Sequence, residues 1–156
     1  VRIHHALLAI LLLPLAASAG YDPEGLQLRI SPYTLHFSDS PEHKDAMGVS
    51  LARVRSDGWM FGGAAFRNSF GQPCVYAFGG REYQNPFGWA DTYWSWTAGI
   101  VYGYKPPYDN KVPLNKNGFS PVIVPSLGYR LRPDLAVEVG MLGTSGLTFS
   151  VVMNLR

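Results

Sequence analysis

The sequence predicts an all-β protein: a small antiparallel up-and-down transmembrane β-barrel of about eight strands, preceded by an N-terminal signal peptide. Three observations point there. Charged residues make up 15% and apolar residues 47%, too few charges for an ordinary soluble surface. After residue 19, no apolar run reaches the ~20 residues that a spanning helix needs. Turn signals instead interrupt the chain every ten to fifteen residues or so.

The first residues read as an export signal. Arg2, His4 and His5 precede an apolar run over 6–17, and Ala17-Ser18-Ala19 fits a small-x-small cleavage site. Residues 1–19 are therefore expected to be removed, leaving a barrel domain over 20–156. The expected address is the bacterial outer membrane, where β-barrels of this size reside.

Eight strands follow in order. The first is expected over 25–37 and the second over 45–55, closed by the turn Ser56-Asp57-Gly58. The third spans 59–69 and the fourth 74–83, with Phe70-Gly71-Gln72-Pro73 between them. The fifth, over 92–104, has Trp94, Trp96, Ala98, Ile100, Tyr102 and Tyr104 on one parity, the pattern of a lipid-facing strand with aromatic girdles. A long Pro-, Asn- and Lys-rich segment over 105–118 leads to the sixth strand at 119–131. The seventh covers 135–142 and the eighth 147–155. Both termini then share the periplasmic end, and the segments 38–44, 70–73, 105–118 and 143–146 face outward.

A barrel this narrow has room for packed side chains or one small ligand, which disfavours a porin. The formal charge of +2 is too small to argue for nucleic acid. Cys74 has no second cysteine to pair with. His43 with Asp39, Glu42 and Asp45 meets no metal-site spacing rule, so no metal or other cofactor is expected. The bore-facing stretches hold Gly, Ala, Val and Phe, suited to an acyl chain or simply to a filled core.

Prolines add a second signal. Pro121 and Pro125, four apart in the sixth strand, withhold two donors from the same neighbour. A weakened seam of that kind would let a lipid pass sideways, and Pro32 in the first strand marks a second such place. His36 and the pair Asn68-Ser69 top the first and third strands, bringing an imidazole and a hydroxyl to one rim.

Thr34-Leu35-His36, Phe66-Arg67-Asn68-Ser69-Phe70, Val112-Pro113-Leu114 and the run over 121–129 together resemble the lipid A palmitoyltransferase family (PagP), as a divergent branch. The resemblance implies transfer of a palmitoyl-type chain from a phospholipid to lipid A, without a cofactor. It implies His36, Asn68 and Ser69 as catalytic positions, with Asn68 standing where the family has Asp. It also implies an acyl-length determinant at the floor of the bore, nearest Gly79 and Gly80. Arg67, Lys105 and Lys111 are expected to meet lipid A phosphates. The partners are then a phospholipid donor and a lipid A acceptor, with the protein acting as a monomer. Two other readings compete: a lipid A deacylase, and a non-catalytic lipid-binding or structural barrel.

Overall fold

The computed structural model describes residues 21–155; the expected export signal over 1–19 lies outside the described residues. Eight strands run in order: β1 (Gly25–His36), β2 (Gly48–Val54), β3 (Trp59–Arg67), β4 (Pro73–Gln84), β5 (Thr92–Tyr102), β6 (Phe119–Arg132), β7 (Leu135–Leu142) and β8 (Gly146–Leu155). Each pairs antiparallel with the next, and β8 returns to β1, closing the barrel. Closure gives every strand a neighbour on both sides over at least part of its length, as a strand-built protein in hydrocarbon requires.

The two ends differ. One carries both ends of the described chain and the connections after β2, β4 and β6. The other, the far rim, carries the segments 37–47, 68–72, 103–118 and 143–145. The expected contrast of short turns against long loops holds only in part. The β4–β5 connection at the terminus end contains a 3-10 turn, Pro86–Gly88, with Asn85, Phe87 and Asp91 at positive φ. On the far rim, β7 and β8 meet in a tight turn.

Strand alternation sorts the side chains. Outward positions such as Ile30, Leu51, Phe61, Val75, Ile123 and Val137 are exposed and apolar, while their neighbours point inward. Aromatics gather near both ends of this apolar wall. Trp59 meets Trp96 edge-on at 5.9 Å toward the terminus end, and Arg81 lies over Trp59 and Tyr83. Toward the far rim Tyr102 packs on Phe119 at 4.6 Å, with the Lys105 ammonium over Tyr102. An apolar band between two aromatic belts with basic side chains at its margins is the surface of a transmembrane barrel.

One expected member of the lipid-facing set, Tyr104, turns inward instead. Gly103 has φ +139°, which ends the alternation, so Tyr104 packs against the interior cluster. Tyr93 takes the inward parity of β5 and donates from Oη to Glu138 Oε2 at 2.9 Å.

The bore is divided. Ala52, Val54, Met60, Tyr76, Phe78 and Val101 pack as a buried apolar cluster, with Phe66 and Val122 against it. Toward the terminus end the filling is ionic. Arg29 clasps Glu138 through Nε and Nη2, at 2.9 and 3.0 Å, tying β1 to β7. Arg130 pairs with Glu82, which also accepts from Gln27 and Gln84. The Arg130 guanidinium lies between two rings, 3.7 Å from the centroid of Tyr21 and 4.3 Å from that of Tyr93. Two Arg against two Glu leave this plug neutral, and each guanidinium faces a carboxylate, although Nε and Nη1 of Arg130 are buried without a hydrogen-bond partner among the described residues. Gly128 is required here: a Cβ would stand 2.1 Å from the Tyr93 ring.

Two seams are incomplete, both in the far half. The β6–β7 ladder stops at Ser126–Gly140, whereas β6 stays paired with β5 up to Phe119–Tyr102. The stretch holding Pro121 and Pro125 thus has a neighbour on one side only. The β1–β2 ladder stops at Ser31–Gly48. That break explains why β2 begins at Gly48, three residues after the expected start: residues ahead of it bond to the β3 side, as in Arg67 N–H to Met47 O at 2.9 Å.

Candidate active site

His36 reaches the bore because β1 contains an extra residue. Below Ser31 the inward side chains are Gln27 and Arg29; unbroken alternation would put His36 outside, with Leu26 and Ile30. Against β8 the register jumps between Ile30–Val151 and Tyr33–Phe149, so that Ser31 and Pro32 together fill one place. This bulge shifts the parity, and Thr34 and His36 turn inward. Pro32 suits the spot, since a bulged residue needs no ladder donor.

Ser69 comes from the loop after β3. His36 Nε2 and Ser69 Oγ are 2.6 Å apart. The pair lies at the far rim, where β1 has left β2. The loop is held from several sides: Lys44 N–H donates to Ser69 O at 2.7 Å, and Asn68 organises the turn itself. Asn68 is 1% exposed. Its Oδ1 accepts from the amides of Phe70 and Gln72, both at 3.0 Å, and its Nδ2 donates to Gln72 Oε1 at 3.1 Å. Gln72 in turn donates to Lys105 O at 2.9 Å, joining this loop to the one after β5.

Asn68, a catalytic position by the resemblance, makes no hydrogen bond to His36 among the described residues. Its polar atoms are committed to the loop, and among the described residues Nδ1 of His36 has no hydrogen-bond partner. Asn68 positions Ser69 rather than orienting His36. Asn68→Ala is expected to strip two loop amides of their acceptor, at a cost of about 1–3 kcal/mol. Trypsin cleavage after Arg67 should become faster in the folded barrel, and Asn68→Asp, which keeps the acceptor oxygen, should stay resistant.

Other expected site residues separate. Lys111 lies close, with Nζ 5.6 Å from the Phe70 ring centroid. Lys105 and Arg67 sit on the outer flank: Lys105 covers Tyr102, and Arg67 is exposed, with a 3.5 Å bond to Gly71 O. Gly79 faces the lipid side, since its Cβ would meet the Phe61 ring, so it cannot measure an acyl chain in the bore. Gly80 faces inward, but a Cβ there would run into the β5 backbone at Trp96 O, 2.1 Å away. Gly80 serves close strand approach.

Residues that sequence patterns did not single out for this site complete it. The His43 ring stacks on His36 at 4.2 Å, Phe70 meets His43 edge-on at 5.7 Å, and Tyr108 stacks on Phe70 at 4.4 Å. Two cavities open on the outer wall of the barrel. One of about 450 Å³ runs outside β6–β8 to Pro32, lined by Leu127, Tyr129, Val137, Val139, Phe149 and Val151, directly below the end of the β6–β7 ladder.

No protein-family profile matches the chain, and no curated protein does. Among solved structures, one from work on the de novo design of transmembrane β-barrels matches over 85% of this chain and 97% of its own, with a TM-score of 0.59 and 16% identity. At that identity the likeness is one of fold: this chain is built as a small transmembrane β-barrel.

Proposed function

We propose that the protein is an outer-membrane acyltransferase that moves a palmitoyl-type chain from a phospholipid to a hydroxyl of lipid A. The observation that carries this reading is the 2.6 Å approach of His36 Nε2 to Ser69 Oγ at the rim away from the termini. The short motifs resembling lipid A palmitoyltransferases include both residues. With the termini periplasmic, that rim faces outward, where lipid A resides.

His36 is suited to accept a proton, either from the lipid A hydroxyl or from Ser69. On the covalent route Ser69 Oγ attacks the phospholipid ester, and its proton passes through His36 to the departing lysophospholipid. The lipid A hydroxyl then attacks the acyl-serine, giving its proton to His36, which returns it to Ser69. On the direct route the lipid A hydroxyl attacks the phospholipid ester itself, and its proton passes through His36 to the departing lysophospholipid. Lys111, beside Phe70, would meet a lipid A phosphate, with Lys105 and Arg67 at the flank. The groove below the β6–β7 seam offers an acyl chain a resting place at the proline-weakened opening.

Pro121→Val with Pro125→Val is expected to extend the β6–β7 ladder. Two added hydrogen bonds at about 1 kcal/mol each lower an open population roughly 30-fold. Transfer should slow while His36 and Ser69 remain in place, and hydrogen exchange over 122–126 should slow with it.

A second reading has its own support. The packed apolar cluster leaves the bore filled, which favours a non-catalytic lipid-binding or structural barrel. The folded protein in micelles, given dipalmitoyl phosphatidylcholine and lipid A, separates the readings. Acyl transfer predicts lipid A heavier by one palmitoyl group together with lysophospholipid. A deacylase yields lighter lipid A and free fatty acid, and a non-catalytic barrel leaves both lipids unchanged.

A further inference from the structure

A base of this kind is ordinarily oriented by a group hydrogen-bonded to its second nitrogen. His36 has no such partner among the described residues, yet its Nε2 meets Ser69 at 2.6 Å. What touches the imidazole instead is its face. His43 stacks on it at 4.2 Å between centroids and 28° between planes. His43 is itself held from the other side by Phe70 at 5.7 Å, and Phe70 by Tyr108 at 4.4 Å. The four rings come from the end of β1 and from three far-rim loops: those after β1, β3 and β5.

We infer that His43 is a positioning residue which clamps the ring plane of His36 by stacking, in place of an in-plane hydrogen-bonded orienter. The inference rests on the acyl-transfer reading for its kinetic consequences, but the clamp is a property of the unliganded protein. Ring stacking restricts rotation about the Cβ–Cγ bond of His36, the torsion that swings Nε2 toward or away from Ser69. A face-to-face contact needs an aromatic ring and no particular charge. Phe at 43 should therefore do what His does, and Ala should not. The column also couples the loops: Ser69 precedes Phe70 in the chain, so the ring that backs His43 belongs to the turn that presents the hydroxyl.

The test compares wild type, His43→Ala and His43→Phe as folded barrels in micelles, with dipalmitoyl phosphatidylcholine and lipid A as substrates. Loss of orientation alone costs about tenfold to a hundredfold in rate. His43→Ala should lower kcat by that factor with KM for lipid A little changed, and His43→Phe should recover most of it. An unchanged kcat in His43→Ala would overturn the inference. So would His43→Phe as slow as His43→Ala with a raised KM, the mark of a direct phosphate contact.

A second measurement is independent of turnover. In histidine-labelled protein, the His36 ring protons, assigned by their absence in His36→Ala, should show a ring-current shift. That shift should vanish in His43→Ala and persist in His43→Phe. If the shifts behave this way while wild type transfers no acyl chain, the clamp stands and the acyl-transfer reading falls. A His36 signal indifferent to His43→Ala removes the clamp whatever the activity.

Discussion

His36→Ala and Ser69→Ala are each expected to abolish detectable acyl addition to lipid A while the barrel still folds. Loss of a general base alone costs roughly 10²–10⁴-fold in rate. Removing Ser69 costs at least as much on the covalent route, where it carries the acyl group, and less on the direct route, where it only positions. The two variants thus separate the routes as well as test the site. Folding should be unaffected, because both side chains sit at the rim and neither belongs to the ionic plug or the apolar cluster. Heat-modifiable migration on gels checks assembly, and lysophospholipid release checks turnover. Wild-type activity in either variant removes that residue from the mechanism.

Glu138→Ala is expected to have the largest effect on stability. Glu138 is 5% exposed and is the shared acceptor of Arg29 and Tyr93. Its removal leaves a guanidinium in the bore without its carboxylate. Breaking a buried pair from one side costs about 3–5 kcal/mol. Replacing both partners by apolar residues, Arg29→Met with Glu138→Leu, removes the stranded charge and should recover most of that loss. Urea titrations of the barrel refolded into phosphatidylcholine vesicles measure both. If the single variant unfolds at the wild-type urea concentration, the plug contributes nothing to stability.

The fold was legible because it is written locally. Alternation and turn residues mark every strand, and the observed bounds of β5 to β8 differ from the expected ones by only a few residues. Failures fall where one backbone irregularity changes the parity. The Ser31–Pro32 bulge and the positive φ of Gly103 each hand a side chain to the opposite face, and neither follows from alternation. The prolines of β6 did announce the incomplete seam, since a missing donor is a property of the residue itself.

The site was legible in part for the same reason. His36 and Ser69 stand at the tops of strands that topology brings to one rim, although 33 residues separate them. Asn68 was expected in the site because it stands where the family that the chain resembles has Asp, but burial and three hydrogen bonds give it to the loop. His43 and Tyr108 lie in segments without periodicity, so nothing in their spacing signals a stack. The plug is harder still: Arg29 and Glu138 are 109 positions apart, and only the inward parity of each strand hints that they meet.

Mass spectrometry of lipid A tests the central claim most directly. Lipid A would be extracted from outer membranes of cells making the wild-type protein, the His36→Ala variant or neither. The account predicts a species heavier by one palmitoyl group with wild type alone. Identical spectra from all three, with the barrel folded in the membrane, would contradict it.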